Sequence, residues 1–261
     1  MLGENDMKNS VITPLLRPLK RSSGLRATLL SGCVSDPEDL WGGLLSSRER
    51  LEGRNRSSPA ARRNWFMGRL AAKAAAADLL DLSLSEVEIL RGPDGRPQLE
   101  APGSDSARTQ ISISHTEGGA LAAAAYGPVG VDLESLDRII SDRVWLWAFR
   151  PEERALSEGA EPDFSKRLAM WCAKEAAAKC WGLALLNHLS EFQVSGEEGW
   201  GGDQNSSSAR LLFVEDYGIG REPRTAAVEI LEDGHFIAVL ALPASGQSGE
   251  SSRLRMESKA K

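Results

Sequence analysis

Alanines and scattered large apolar residues fill one long stretch, residues 60–80, a strong helix candidate in which Trp65, Leu70, Ala77 and Leu80 are available for burial. Ser58-Pro59 opens it. A serine N-cap can accept from an early N–H, and proline suits the first helical position, where an N–H would be unpaired anyway. Short strand-like segments follow at residues 87–90, 109–115, 120–126 and 129–133, with Pro93-Asp94-Gly95 as a turn. The order then repeats. Helical segments are expected between residues 142 and 158, with Trp145 and Trp147 anchoring a core. A second strong helix runs from about 165 to 181 and stops at Gly182, a natural C-terminal residue for a helix. Strands are expected at 192–194, 211–214, 226–231 and 235–242, with Asp233-Gly234 as a hairpin turn between the last two.

Twice, then, the chain reads as a helix followed by an antiparallel meander. This predicts an α+β protein of two similar halves, a pseudo-dimer within one chain, each half a helix packed on a small antiparallel sheet. The boundaries predicted are a flexible N-terminal arm over 1–24, halves at 25–128 and 129–243, and a disordered tail over 244–261. The arm is polar and proline-broken, and the tail is Ser, Gly and charge. The Gly/Ser-rich insert over 195–209 reads as a mobile loop.

Composition narrows the class. The 261 residues are 41% hydrophobic and 26% charged, an ordinary globular mix. The net charge of −6, from 31 basic and 37 acidic residues, is opposite to that of a general nucleic-acid binder. Three cysteines, odd in number and without CxxC spacing, argue against a disulfide framework or a zinc finger. The first residues, MLGENDMKN, have no apolar signal core, and the run over 118–131 is too short to span a bilayer and contains Pro128. A soluble cytoplasmic protein is expected, with neither nucleic acid nor membrane as partner.

Four clusters could carry chemistry. In Gly130-Val131-Asp132-Leu133-Glu134, a strand puts Asp132 and Glu134 on one face. That pair suits a hard cation, or simply a solvated acidic edge. In Trp171-Cys172-Ala173-Lys174-Glu175-Ala176-Ala177-Ala178-Lys179, Glu175 and Lys179 share a helical face. They are an exposed i,i+4 pair or, given the apolar surroundings, residues at the edge of a cleft. Ser114-His115 ends a strand before Gly118-Gly119, where hydroxyl, imidazole and backbone N–H groups could meet a phosphate; a Ser/His nucleophile pair is disfavoured because adjacent strand residues face opposite ways, and a strand-end histidine is more often a structural hydrogen-bonder. Arg96, between Gly95 and Pro97, offers a guanidinium to phosphate or to solvent. Arg62, Arg63, Arg69 and Lys73 form a basic stretch on the first helix, ordinarily a solvated face. No P-loop or GxGxxG occurs, so a nucleoside-triphosphate kinase is not supported.

Taken in order, Gly-Arg-Pro, Ser-His before Gly-Gly, Gly-Val-Asp-Leu-Glu, and Trp-x-x-Lys-Glu-x-x-x-Lys resemble the 4'-phosphopantetheinyl transferase superfamily, closest to its single-chain, two-halved Sfp-like type. The resemblance covers roughly residues 59–242. It departs at Ile111-Ser112, where the family commonly has Phe-Asn, and at Arg96, where it commonly has lysine. The resemblance implies transfer of phosphopantetheine from coenzyme A to a serine of an acyl or peptidyl carrier protein, leaving 3',5'-ADP, at an active site between the halves. By motif match it implies Asp132, Glu134 and Glu175 as ligands of Mg2+ (or Mn2+). Glu175 would also serve as the base, directly or through water, and Lys179 would act on the departing phosphate. Ser114, His115, Arg96 and Lys179 would hold coenzyme A phosphates, and Lys73 would meet the 3'-phosphate. The alternative is a degenerate, non-catalytic member that binds coenzyme A or a carrier protein, but such a copy is expected to lose at least one of Asp132, Glu175 and Lys179. A monomer is expected, since two halves in one chain already make an internal pair. The carrier served stays open.

Overall fold

The computed structural model describes residues 15–32, 43–157, 163–184, 188, 191–198, 210–218, 222–233 and 235–244. Its elements are β1 (Leu15–Ser22), β2 (Leu25–Ser31), α1 (Ser47–Arg54), α2 (Pro59–Leu80), β3 (Glu88–Arg91), β4 (Pro97–Glu100), β5 (Gln110–Thr116), β6 (Gly119–Ala125) and β7 (Gly130–Ser135). After these come α3 (Asp142–Ala148), α4 (Pro151–Ala155), α5 (Phe164–Cys180), β8 (Phe192–Glu198), β9 (Arg210–Asp216), β10 (Arg224–Asp233) and β11 (Phe236–Pro243).

Both long helices start as the residues dictate. The Ser58 side chain accepts from the Ala61 N–H ahead of Pro59. The Asp163 side chain accepts from the Lys166 N–H at the start of α5. One sheet has the order β1-β2-β6-β5, a second β7-β11-β10-β9-β8, and β3-β4 is a separate hairpin; every pairing is antiparallel.

Strand alternation assigns each face. In β6, Ala120, Ala122 and Ala124 face α2, whose Ala71, Ala72, Ala75 and Ala76 are fully buried against them. Alanine on both surfaces lets helix and sheet approach closely. Leu121, Ala123 and Ala125 point the other way and pack on Val131, Leu133, Phe236, Ala238 and Leu240 of the second sheet. In β11, Ile237, Val239 and Ala241 face α5. The layers are therefore α2, first sheet, second sheet, α5, each joined to the next by buried apolar contact.

One polar device occurs at both long helices. Lys73 of α2 is buried and paired with Glu49 at 3.0 Å, and it also donates to the Val87 carbonyl. Glu49 caps α1 by accepting from the Ser46 N–H and takes the Ile89 N–H as well. Lys174 of α5 is buried and paired with Glu153 at 2.8 Å, and it donates to the Ala148 carbonyl. Glu153 accepts from the N–H groups of Arg150 and Val194. Each pair ties a short helix, a long helix and a strand together. A buried pair is better tolerated where further hydrogen bonds reach its donors and acceptors, as the carbonyl and N–H partners do here. Burial still pulls the Lys174 pKa down, against the opposing pull of Glu153.

Several expectations need correction. Residues 15–22 form a strand paired with β2, not an arm. Pro18 disguised it: proline is tolerated at a sheet edge, and the β1–β2 register shifts between Pro18 and Lys20. Trp145 is buried as expected, but Trp147 is 62% exposed. Residues 195–198 of the expected loop continue β8. Residues 1–14, the rest of that loop over 199–209, Gly234 and the tail over 245–261 lie outside the described residues. No described helix is long and apolar enough to cross a membrane.

Candidate active site

β5 and β7 are edge strands of different sheets, and they meet without forming a backbone ladder. An edge strand leaves outward N–H and C=O groups that must be paired once buried. Here side chains pair them. The Val131 N–H donates to Ser112 Oγ at 3.0 Å, and the Val131 carbonyl accepts from Lys179 Nζ at 3.0 Å. One residue on, Asp132 Oδ1 accepts from Ser114 Oγ and from Lys179 Nζ, both at 2.8 Å. Lys179 Nζ also lies 3.1 Å from Ser114 Oγ. Ser112, which stands where the family commonly has asparagine, thus has a defined role in the seam.

Helix α5 brings Lys179 here because nothing separates it from β7. A Cβ on Gly130 would stand 1.8 Å from the Ala176 carbonyl oxygen and 2.5 Å from the Cys180 nitrogen. Only glycine permits that approach. Gly130, Asp132 and Glu134 share the strand face toward α5, so the glycine sets the distance at which the acids meet the helix.

Asp132 is 4% exposed, and its Oδ2 has no hydrogen-bond partner among the described residues. Glu175 is half-buried on α5. Burial raises its pKa, the nearby Asp132 charge raises it further, and Lys179 and Arg138 oppose the rise. Cys172, fully buried, has its thiol pushed well up by burial and then by Asp132. Two carboxylates therefore share one partly desolvated space with Lys179 as the nearest cation. Glu134 is occupied by Arg138, four residues along the chain. Among the described residues no group of three or more His, Cys, Asp or Glu side chains is arranged to hold a metal ion. Of the expected trio, Asp132 is near enough to Glu175 to raise its pKa, while Glu134 is paired with Arg138.

The expected phosphate contacts divide. Ser114 belongs to the seam. His115 follows it on β5 with the opposite orientation and lines a cleft of about 360 Å³ with Arg56, Trp65, Gly68, Arg69 and Arg91. Its ring keeps an open face to solvent, yet burial against the cleft walls lowers its pKa, with Lys179 and Arg56 adding to the effect. Arg96 is exposed, bonded to Asp94 at 2.6 Å, and its guanidinium lies over Gly182, where a Cβ would stand 2.2 Å from Nη1. It therefore reaches the C-terminal end of α5, where a cation is favourable. Lys73 is a correction. It is 1% exposed beneath α1, held by Glu49 and the Val87 carbonyl, and does not reach the cleft. Arg69, read from the sequence as solvated, is the buried cation that does. Its i,i+4 spacing from Trp65 was the available signal.

Residues 128–217 match the family model of the 4'-phosphopantetheinyl transferase superfamily. That span holds Asp132, Glu134, Glu175 and Lys179. The chain is also similar to the protein slr0495 of Synechocystis sp., which is provisionally named as a 4'-phosphopantetheinyl transferase. The two are 27% identical over 154 residues, which cover 57% of this chain and 61% of that protein. The resemblance to the superfamily read from the motifs is thus met by both comparisons.

Proposed function

We propose that this protein is an Sfp-like transferase that moves 4'-phosphopantetheine from coenzyme A to a serine of an acyl or peptidyl carrier protein, releasing 3',5'-ADP. The observation that carries the reading is one constellation. Lys179 is bonded to Asp132 and Ser114 where β5 meets β7, and Glu175, one helical turn before Lys179 on α5, lies close enough to Asp132 for that charge to raise its pKa. The matching Lys–Glu devices of α2 and α5 support a second part of the proposal, that residues 25–128 and 129–243 are two halves of a pseudo-dimer in a monomeric chain.

The reaction asks for a base, neutralisation of pyrophosphate charge, and a cation for the leaving group. Glu175 supplies the base. A carboxyl whose pKa is raised by burial is a stronger base than an ordinary one and takes a proton from a serine hydroxyl, directly or through water, more readily. The serine oxygen bonds to the phosphorus on the pantetheine side, and the P–O bond to 3',5'-ADP breaks. Negative charge grows on the departing phosphate, where Lys179 meets it. Asp132 holds Lys179 in place beforehand.

A divalent cation fits the donor set. Asp132 Oδ2 is buried without a hydrogen-bond partner among the described residues, and the Asp132 and Glu175 carboxylates share Lys179 as their nearest cation, so oxygen ligands are on hand for a cation. Mg2+ is commonly held by one or two carboxylates plus substrate phosphates, so two acids suffice. Such an ion would neutralise the pyrophosphate oxygens. Glu134 would join as a third ligand on release from Arg138.

The test is incubation with apo carrier proteins from fatty acid, polyketide and nonribosomal peptide systems, with coenzyme A and either Mg2+, Mn2+ or chelator. The expected result is a carrier gaining the mass of one phosphopantetheine only with coenzyme A and metal. No gain on any carrier, with coenzyme A still bound, would favour the non-catalytic alternative.

A further inference from the structure

The acids of the site already have two cations of their own, and the motifs assign a role to only one of them. Lys179 of α5 is paired with Asp132 at 2.8 Å, and Arg138 is paired with Glu134. Asp132 and Glu134 lie two residues apart on one face of β7, so the two pairs are neighbours. The charges of Lys179 and Arg138 both oppose the rise in the Glu175 pKa, and both oppose that of the Cys172 thiol. Two cations from different elements therefore act on one group of acids.

The turn after β7 puts Arg138 there. The Leu136 N–H donates to the His235 carbonyl at 2.9 Å, the Asp137 N–H to Ser135 Oγ at 3.3 Å, and the Arg138 N–H to the Ser135 carbonyl at 2.9 Å. This reversal brings the guanidinium back to an acid four residues earlier without a helix. The pair is graded in exposure: the Glu134 side chain is 16% exposed and that of Arg138 42%. The acid stays with the site, while the cation sits on its solvent side. An ion pair with one partner this open is weak, so another cation can displace it.

We infer that Arg138 is a built-in counter-ion, a positioning residue that holds Glu134 while no metal is bound and whose displacement sets how tightly a divalent cation is taken up. The inference rests on the cation site of the proposed function. A guanidinium carries donors only and cannot share an ion, and its charge repels one. Arg138 and a divalent cation thus compete for the same carboxylate. The competition has a signature that a purely structural residue lacks. Losing Arg138 leaves the acids of the empty site less compensated, so the metal-free protein becomes less stable, yet the same loss tightens metal binding.

Titration of the full chain with Mn2+, with the free ion read by electron paramagnetic resonance, tests this. Arg138→Gln should bind Mn2+ about 3- to 10-fold more tightly than wild type and, in chelator, melt a few degrees lower. In a Glu134→Gln background the gain from Arg138→Gln should shrink to within about twofold, because Arg138 then has no carboxylate to hold. Arg108→Gln removes the same charge from an exposed pair with Asp105 and should leave Mn2+ affinity within about twofold. A gain of the same size in Arg108→Gln, or an equal gain with and without Glu134, would reduce Arg138 to bulk charge and overturn the inference. Weaker Mn2+ binding together with lower stability would make it merely structural. Should Arg138→Gln not fold, Arg138→Lys decides: it lacks the planar fork, holds a carboxylate less well and should still tighten Mn2+ about twofold, and no gain there counts against the inference. Wild type that binds Mn2+ with no gain in Arg138→Gln sinks the counter-ion role alone. Mn2+ bound by no variant, with or without coenzyme A, sinks the cation site of the proposed function and the counter-ion role with it.

Discussion

Removing the Asp132 carboxylate takes away the anchor of Lys179 and the charge that adds to the raised pKa of Glu175. Lys179 would keep the Val131 carbonyl and Ser114 as partners, so the fold should survive. Asp132→Ala is therefore expected to lower transfer at least 100-fold with an unchanged circular dichroism spectrum. Near-normal turnover would remove Asp132 from the site. Glu175 makes a different prediction because its pKa is raised, chiefly by burial. The native state holds this proton more tightly than the unfolded chain. The resulting stabilisation is complete below the ordinary carboxyl value and is lost as pH rises through the raised one. In chelator-treated protein, Glu175→Gln should thus melt with wild type near pH 4 and above it at pH 7.5, while transferring nothing. A gain equal at both pH values would mean the carboxylate is not desolvated. Asp132, Glu175 and Lys179 were legible as residues, since their spacing puts acids on one strand face and Glu175 with Lys179 on one helical face. Glu134's engagement with Arg138 was not, because a pairing across a strand end depends on how the following turn folds back.

At the scale of elements, the two long helices are held by the same means, and each holding point can be broken separately. Lys73→Met leaves Glu49 charged and buried, so a loss of about 3–5 kcal/mol is expected in denaturant unfolding. Because Lys73 does not reach the cleft, KM for coenzyme A should stay within about twofold of wild type in the folded protein. A large rise in KM would restore it as a phosphate contact. Gly130→Ala would push α5 away from β7, since the added carbon meets the Ala176 carbonyl. The expected outcome is loss of stability together with loss of kcat, because Lys179 and Glu175 ride on that helix. The helices themselves were readable from N-cap, proline and terminal glycine signals. The strand β1 was not, because edge strands tolerate the proline that a central strand forbids.

Across the whole molecule, the two sheets share a buried face formed by Leu29, Leu121, Ala123, Val131, Leu133, Phe236 and Leu240. Neither sheet can expose that face alone without a large apolar penalty. The chain should therefore unfold in one calorimetric transition, and Leu121→Ala should lower its stability by about 2–5 kcal/mol without splitting it. Two separated transitions would mean the sheets fold independently. Capping residues, alternation and glycine positions determined most elements from the sequence alone, because these are local rules that act over a few residues. The order of the motifs likewise pointed to the superfamily before any geometry. Tertiary structure decided the rest. It decided that Arg69 and not Lys73 lines the cleft, because the depth of a helical face depends on what covers it, here α1. It decided that Ser112, Ser114 and Lys179 replace a backbone ladder between β5 and β7, because that need arises only when two sheet edges meet. It also decided that Asp132 pairs with Lys179 while Glu134 pairs with Arg138, because sequence spacing assigns a side chain to a face, whereas its partner is set by the surface packed against that face.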